Sequence, residues 1–325
     1  MNQKSLRIVI PGGSGQMGQL LARHFSGQGH QVSILSRGPS VEPWESIYWD
    51  GETIGPWTEA LEGADICINL SGKSVNCRFT EKNRAALRNS RIRSTEILGA
   101  VISRLAQPPK LWMNASAASV YQHSIDRPMD EFTGINGREI EGAPDTWQFM
   151  MQLATDWEAA FYKTPTPRTR KIALRTTLLF GPHPGSVFAV MLNLVKFRLG
   201  GTVGSGKQYV SWMHELDYAR AIQFLVEHEE IEGPINMAAP EPLPNRDFMR
   251  ALRTAWGRGL PVNGLPAPTP ILEVGAFFLR TESELVLKSR RVVPTRLLNA
   301  GFQFEFSDWY AAADDLVREW RRREE

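Results

Sequence analysis

The chain has 325 residues, 42% apolar and 22% charged, and 37 Lys plus Arg against 35 Asp plus Glu leave a formal charge of +2. That length buries a sizeable core in one large domain or two modest ones, which excludes intrinsic disorder. Near-neutrality excludes a dedicated nucleic-acid binder with its basic stripe, and two cysteines, Cys67 and Cys77, exclude a disulfide scaffold or a cysteine zinc site.

Leu6–Ile10 is a strand-like apolar run with no signal-peptide pattern before it. Gln16–Gln28 has helical spacing at Met17, Leu20, Leu21 and Phe25, and Gln31–Leu35 reads as a second strand. Ile47–Trp49 is a third strand, followed by a short helix near Trp57–Leu61, and Ala64–Leu70 is a buried fourth. Thr80–Leu105 is a long helix stopped by Pro108-Pro109, and Leu111–Ala115 is a fifth strand. Residues 122–145 form a loop long enough to suggest function. Asp145–Tyr162 is amphipathic, and Ile172–Leu179 is a sixth strand. Helix patterns follow at Val187–Leu199, Asp217–Glu227, Arg246–Trp256, Ile271–Phe278 and Trp309–Arg322. Alternating strands and helices predict an α/β fold, a Rossmann-type doubly wound parallel sheet with a smaller mixed C-terminal substrate lobe. The dinucleotide-binding domain is expected over 1–182 plus about 214–238, the lobe over 183–213 and 239–325. The basic clusters Arg168-Thr169-Arg170-Lys171 and Arg318–Arg323 read as solvated surface. No run of about eighteen apolar residues occurs, so a soluble cytoplasmic protein with no membrane role is expected.

Gly12-Gly13-Ser14-Gly15-Gln16-Met17-Gly18 joins the first strand to the first helix as G-x-x-G-x-x-G. Such glycines allow a tight turn, a backbone close to a pyrophosphate and a helix close to its strand, while the helix N-terminus attracts phosphate. The bland alternative is a tight connection that binds nothing. The second strand ends at Ser36-Arg37 with no acid for a ribose hydroxyl, so a guanidinium for a 2′-phosphate favours NADP(H) over NAD.

These residues resemble the extended short-chain dehydrogenase/reductase superfamily, and within it an atypical YfcH-type epimerase-like family. Further matching segments are Asn69-Leu70-Ser71-Gly72, Ser90-Arg91, Asp156–Ala160, Phe197–Gly200, Gly204–Gln208, Ser211–His214 and Ala238–Pro242. Arg291–Pro294 and Ala300–Phe302 resemble that family's small C-terminal domain of unknown function, about the last 45 residues. The resemblance implies cofactor contacts at Gly12, Gly13, Ser14, Gly15, Gln16, Met17, Gly18, Ser36, Arg37, Leu70, Ser71, Gly72, Arg91 and Leu179.

The usual catalytic set is missing. Most of the superfamily uses a Tyr-x-x-x-Lys pair, whose ammonium lowers the phenol pKa. No tyrosine here has Lys four residues on, and Phe149 and Leu153 take the two places. Ala117 stands where a hydroxyl belongs, leaving neighbouring Ser116, and His214, as candidate proton-handling groups. Val210 replaces an arginine that clamps nucleotide-sugar diphosphates. The expected substrate pocket is apolar: Tyr121, Phe149, Met150, Leu153, Gln208 and Trp212, with Trp147, Trp157 and Trp212 grouped around it. His123 and Gln152 are further polar candidates, and no metal is expected. Two functions stay open. One is an NADP(H)-dependent oxidoreductase or epimerase acting on a small, partly apolar carbonyl compound, its proton drawn from water or a nonstandard residue. The other is a non-catalytic NADP(H)-binding sensor that moves the 122–145 loop. The expected partner is a small molecule, and a homodimer is open.

Overall fold

The computed structural model describes residues 5–39, 41–137, 140–257, 264–267 and 287–324. The main sheet contains β1 (Arg7–Pro11), β2 (Gln31–Ser36), β3 (Glu45–Tyr48), β4 (Ile66–Asn69), β5 (Leu111–Ala117), β6 (Arg170–Thr176) and β10 (Gly233–Met237). Its order is β10-β6-β5-β4-β1-β2-β3 and every pair is parallel. The direction of winding reverses between β1 and β4, and ligands of such sheets bind in the crevice beyond the strand ends there.

Helices α1 (Gln16–Gly27) and α5 (Glu215–Glu227) cover one face. Ile8, Ile10, Ile34, Ile68, Met113 and Leu174 from the strands meet Leu21 and Phe25 of α1 and Ile222 and Leu225 of α5. Helices α2 (Glu81–Ile102) and α3 (Asp145–Lys163) cover the other, where Val9, Cys67, Trp112 and Ala173 meet Leu98, Val101 and Phe161. Strand alternation produces this division, since neighbouring side chains point to opposite faces. Thr80 starts α2 because its hydroxyl accepts from Asn83 N at 3.3 Å.

A second core holds the lobe together. There α4 (Val187–Lys196), α6 (Asn245–Trp256) and the C-terminal helix α8 (Trp309–Glu324) pack Phe188, Leu192, Phe248, Leu252, Trp309 and Leu316. Among the described residues the short helix between the last two, α7, is Thr295–Asn299, and the short strands β8 (Tyr209–Val210) and β11 (Leu243–Pro244) pair antiparallel. Among the described residues no helix is long and apolar enough to cross a membrane.

Two expectations need correction. The sixth strand is two: β6 ends at Thr176, and β7 (Leu178–Phe180) pairs instead with β9 (Trp212–His214). Thr177 marks the break, its N–H and hydroxyl both donating to Met237 O, while the apolar run passes through it uninterrupted. The cluster at 168–171 is not merely solvated. Arg168 donates to Leu105 and Ala106 carbonyls, Arg170 to Leu225, His228 and Ile231, and Lys171 to Phe161 and Thr164. Arg170 and Lys171 thus close the C-terminal ends of α5 and α3, where carbonyls lack helical partners, and Arg168 holds the turn that follows α2. The loop after β5 is tied to its surroundings at two points: Tyr121 bridges Asn136, and Met129 bridges Val292. The helix expected at Ile271–Phe278 lies outside the described residues.

Candidate functional site

A cleft of about 660 Å³ opens at the strand ends beside the reversal. Gly12, Ser14, Gly15, Gln16, Met17 and Gly18 form its floor; Ser36 and Arg37 stand at one end, and Leu70, Ser71 and Gly72 form a wall. Gly12 has φ +77°, and a Cβ there would lie 2.7 Å from Ser71 N. The turn after β1 is thus pressed against the turn after β4, which Leu70 N secures by donating to Pro11 O at 2.8 Å. A Cβ on Gly18 would lie 2.4 Å from Gly13 Cα, so α1 lies directly on the turn that feeds it. Gly13 does not line the cleft; its own Cβ would meet Ile10 O and Ile34.

Gly15 differs from both. A Cβ on it would have only Gly12 O nearby, at 3.5 Å, so the protein itself does not require glycine there. Gly15 is also the N-cap of α1 and supplies no side-chain cap, and α1 has no acid in its first turn. Uncapped helix N–H groups and the positive dipole end therefore face the cleft. Ser71 Oγ in the opposite wall is buried without a hydrogen-bond partner. Open space, uncapped donors and an orphaned hydroxyl together fit a bound anionic group.

A buried amide network holds the wall. Asn69 Oδ1 accepts from Ser71 N at 3.1 Å, and Asn69 Nδ2 donates to Asn114 Oδ1 at 2.7 Å. Thr95 joins it, its hydroxyl accepting from Trp157 Nε1 at 3.0 Å. Arg91 lies behind Gly72, its Cζ 3.4 Å from where a Cβ would stand, and over the Trp157 ring at 5.1 Å. Burial pushes its pKa down to about 10. Arg91 is therefore behind the cleft wall and not among its lining residues. Leu179 on β7 is likewise outside the lining.

The polar residues at the ends of β5, β6 and β10 form a row. Ser116 pairs in register with Arg175, and Arg175 with Asn236, so all three side chains share the face under α3. Ser116 Oγ donates to Glu158 Oε1 at 2.6 Å. Arg175 donates to both Glu158 oxygens at 2.8 Å and to Tyr121 Oη at 2.8 Å. Tyr121 in turn donates to Asn236 Oδ1 at 3.0 Å, and burial pushes its phenol up to about 12. Ser116 and Tyr121 are thus committed to an internal ion-pair network. His214 is committed too: Nδ1 accepts from Leu216 N at 3.1 Å as the cap of α5, and Nε2 lies 3.3 Å from Asp315. Burial lowers its pKa, against the pull of Asp315.

The residues expected to line one substrate pocket separate into three places. Phe149, Met150 and Leu153 pack with Phe79 and Leu87 beside the start of α2. Tyr121 belongs to the polar row. Gln208 and Trp212 lie in the lobe, Gln208 donating to Val203 O and Trp212 sealed against Trp309 at 5.0 Å. The three grouped tryptophans separate likewise: Trp147 stacks on His123, Trp157 joins the amide network, and Trp212 fills the lobe core. Sequence reasoning missed Trp49, Asp50, Gly51, Glu52, Lys73 and Ser90 in the cleft wall. The first four directly follow β3, so their place at the sheet's C-terminal edge was the available signal. Asp50 is held below the ordinary carboxylate range by the Thr53 hydroxyl and the N–H groups of Glu52 and Thr53.

Doubly wound sheet, glycine turn at the reversal and appended lobe define an extended Rossmann-type protein of the short-chain dehydrogenase/reductase kind. The chain belongs to the NAD dependent epimerase/dehydratase family, whose model matches residues 8–238, and a domain of unknown function, DUF1731, matches 267–316. It is 30% identical to the bovine epimerase family protein SDR39U1 over 318 residues, 96% of this chain and 100% of that one. It is also 30% identical to epimerase family protein YfhF of Bacillus subtilis, over 96% of this chain and 98% of that one. A crystal structure of human SDR39U1 (isoform 2) with NADPH superposes with a TM-score of 0.82 at 28% identity, covering 96% and 99% of the two chains. The UDP-N-acetylglucosamine 4-epimerase of Bacillus cereus shares the fold at a TM-score of 0.72 and 14% identity, over 98% and 97%.

Proposed function

We propose that the cleft binds NADP(H) and that the protein transfers hydride to or from a small, partly apolar carbonyl compound. The observation that carries the reading is Gly15: glycine stands where the fold has room for a side chain, between uncapped helix donors and the orphaned Ser71 hydroxyl. Gly12–Gly18 and Ser71 would hold the pyrophosphate, and Ser36 with exposed Arg37 the 2′-phosphate. The NADPH-bound human relative supports the same choice. Bound NADPH would supply the hydride. The chain's own part is to bind and orient the cofactor, through the glycine turn and the Ser71 wall. The proton comes from solvent, since Ser116 and Tyr121 are engaged elsewhere.

That engagement also favours a second reading, a non-catalytic NADP(H) sensor. Its moving loop is joined to the C-terminal segment through Met129 N, which donates to Arg291 O at 2.7 Å, so both would respond together. NADPH and NADH titrations of the native protein and Arg37→Ala test the cofactor choice. Native NADPH binding at least about tenfold tighter than NADH, lost on substitution, is expected; equal binding of the two by the native protein refutes it. Oxidation of NADPH with a panel of aldehydes, ketones and quinones then separates enzyme from sensor.

A further inference from the structure

On the sheet face under α2 and α3, Cys67, Trp112 and Ala173 belong to the apolar core. Further along the same strands, toward their C-terminal ends, the residues on that face turn polar. Asn69 of β4 pairs in register with Asn114 of β5, and Ser116 of β5 with Arg175 of β6. Arg175 in turn pairs with Asn236 of β10. None of these side chains belongs to a residue exposed by more than 5%. A buried polar band therefore crosses the sheet from β4, beside the cleft, to β10 at the edge.

Hydrogen bonds join its members end to end. Asn69 holds Ser71 of the cleft wall and reaches Asn114, and Thr95 links Asn114 to Trp157 of α3. Glu158, the next residue of α3, holds Ser116 and Arg175, and Arg175 reaches Tyr121 and through it Asn236. At the far end Asn236 N donates to Glu131 Oε1 at 2.8 Å, and Asn236 Nδ2 donates to Val293 O at 2.9 Å. The other Glu131 oxygen accepts from Arg296 N at 3.3 Å. One end of the band is thus the cofactor wall. The other is both the loop after β5 and a segment of the 267–316 domain of unknown function.

The bonding is complete but for one atom. Ser71 Oγ is buried without a partner, whereas the other side chains of the band are engaged. Displacing any engaged member strands a buried donor or acceptor, so each holds its neighbours in place. A ligand that gives Ser71 its missing bond fixes the wall, then Asn69, then the rest.

We propose that this band couples the cofactor cleft to the C-terminal domain: a ligand held at Ser71 orders Glu131 and residues 291–296, and ordering of those residues strengthens ligand binding in return. The ligand's identity rests on the NADP(H) reading, and the coupling serves enzyme and sensor alike.

Hydrogen exchange of the full chain with and without NADPH tests it. Protection at 129–136 and 291–296 should rise about fivefold with NADPH while α8 stays unchanged. Glu158→Ala with Arg175→Met cuts the band in its middle without touching a residue that lines the cleft. In that variant NADPH should bind within about threefold of native, and the rise should vanish. No rise in the native protein, or a rise that survives in the variant, overturns the proposal. Trp157→Phe without cofactor is the second arm. Losing the donor to Thr95 should lower protection at 291–296 about threefold and leave α8 unchanged; unaltered protection at 291–296 overturns the coupling. That arm needs no ligand, so a native protein that fails to bind NADPH ends the cofactor reading while the coupling is still decided.

Discussion

Gly15→Ala and Gly18→Ala are chemically identical substitutions in one turn, yet opposite outcomes are expected. At Gly18 the new methyl would stand 2.4 Å from Gly13 Cα and 2.5 Å from Gly13 O, both backbone atoms. Overpacking of that kind costs about 3 kcal/mol, and better helix propensity returns about 1 kcal/mol. A net loss near 2 kcal/mol should appear in the urea midpoint. At Gly15 the nearest atom is 3.5 Å away, and φ −75°, ψ 168° is open to alanine. A stiffer unfolded chain and a weaker N-cap roughly cancel, so stability should stay within about 1 kcal/mol of native. The added methyl instead occupies the space read as the phosphate cradle. A steric penalty of about 1–3 kcal/mol there weakens NADPH binding roughly 5- to 150-fold. Urea unfolding and NADPH fluorescence titration on both variants measure the two effects. Native-like NADPH affinity in Gly15→Ala would refute the cradle, and unfolding of Gly15→Ala as severe as that of Gly18→Ala would refute the open space.

Glu158→Ala should destabilise the fold by about 3–5 kcal/mol, because it leaves Arg175 buried without its charge partner; adding Arg175→Met should restore most of the loss, and urea midpoints unchanged by the single substitution would contradict the network. Stability should fall as the pH drops below 6.5, the ordinary value from which burial depresses His214 and His30. The folded protein then binds fewer protons than the unfolded chain, so the stability present above 6.5 is lost as pH falls through the folded values. His214→Asn keeps a cap for Leu216 N and should reduce that slope without abolishing it; an unchanged difference between pH 7.5 and 5.5 counts against the assignment. Trp157→Phe removes the donor to Thr95 and should cost about 1 kcal/mol with a matching loss of NADPH affinity, since the Asn69 network sets the Ser71 wall. Stability loss with intact affinity would show that the wall holds without it.

Local signals were readable. Gly12–Gly18 and Ser36-Arg37 are contiguous, and their spacing after a strand carries a geometric meaning that does not depend on distant residues. Strand and helix alternation likewise predicted the doubly wound sheet, because apolar periodicity reports burial element by element. Ser116 shows where that stops. Its hydroxyl looked available in sequence because Arg175 and Asn236 reach it only through strand register, and Glu158 only through the packing of α3. Phe149 and Trp212 were expected in one pocket, but the fold places them in different cores.

Order along the chain therefore determined the Rossmann-type sheet, the glycine turn and its cationic neighbour, and the absence of a Tyr-x-x-x-Lys pair. Tertiary structure alone decided which polar groups are already engaged and which apolar faces stay uncovered. Val187–Lys196 states the limit: every face of that helix is apolar enough to bury, and only the placement of α6 and α8 selects the one that does. Composition measures how much surface a chain can bury, whereas the packing of its elements determines which surface remains.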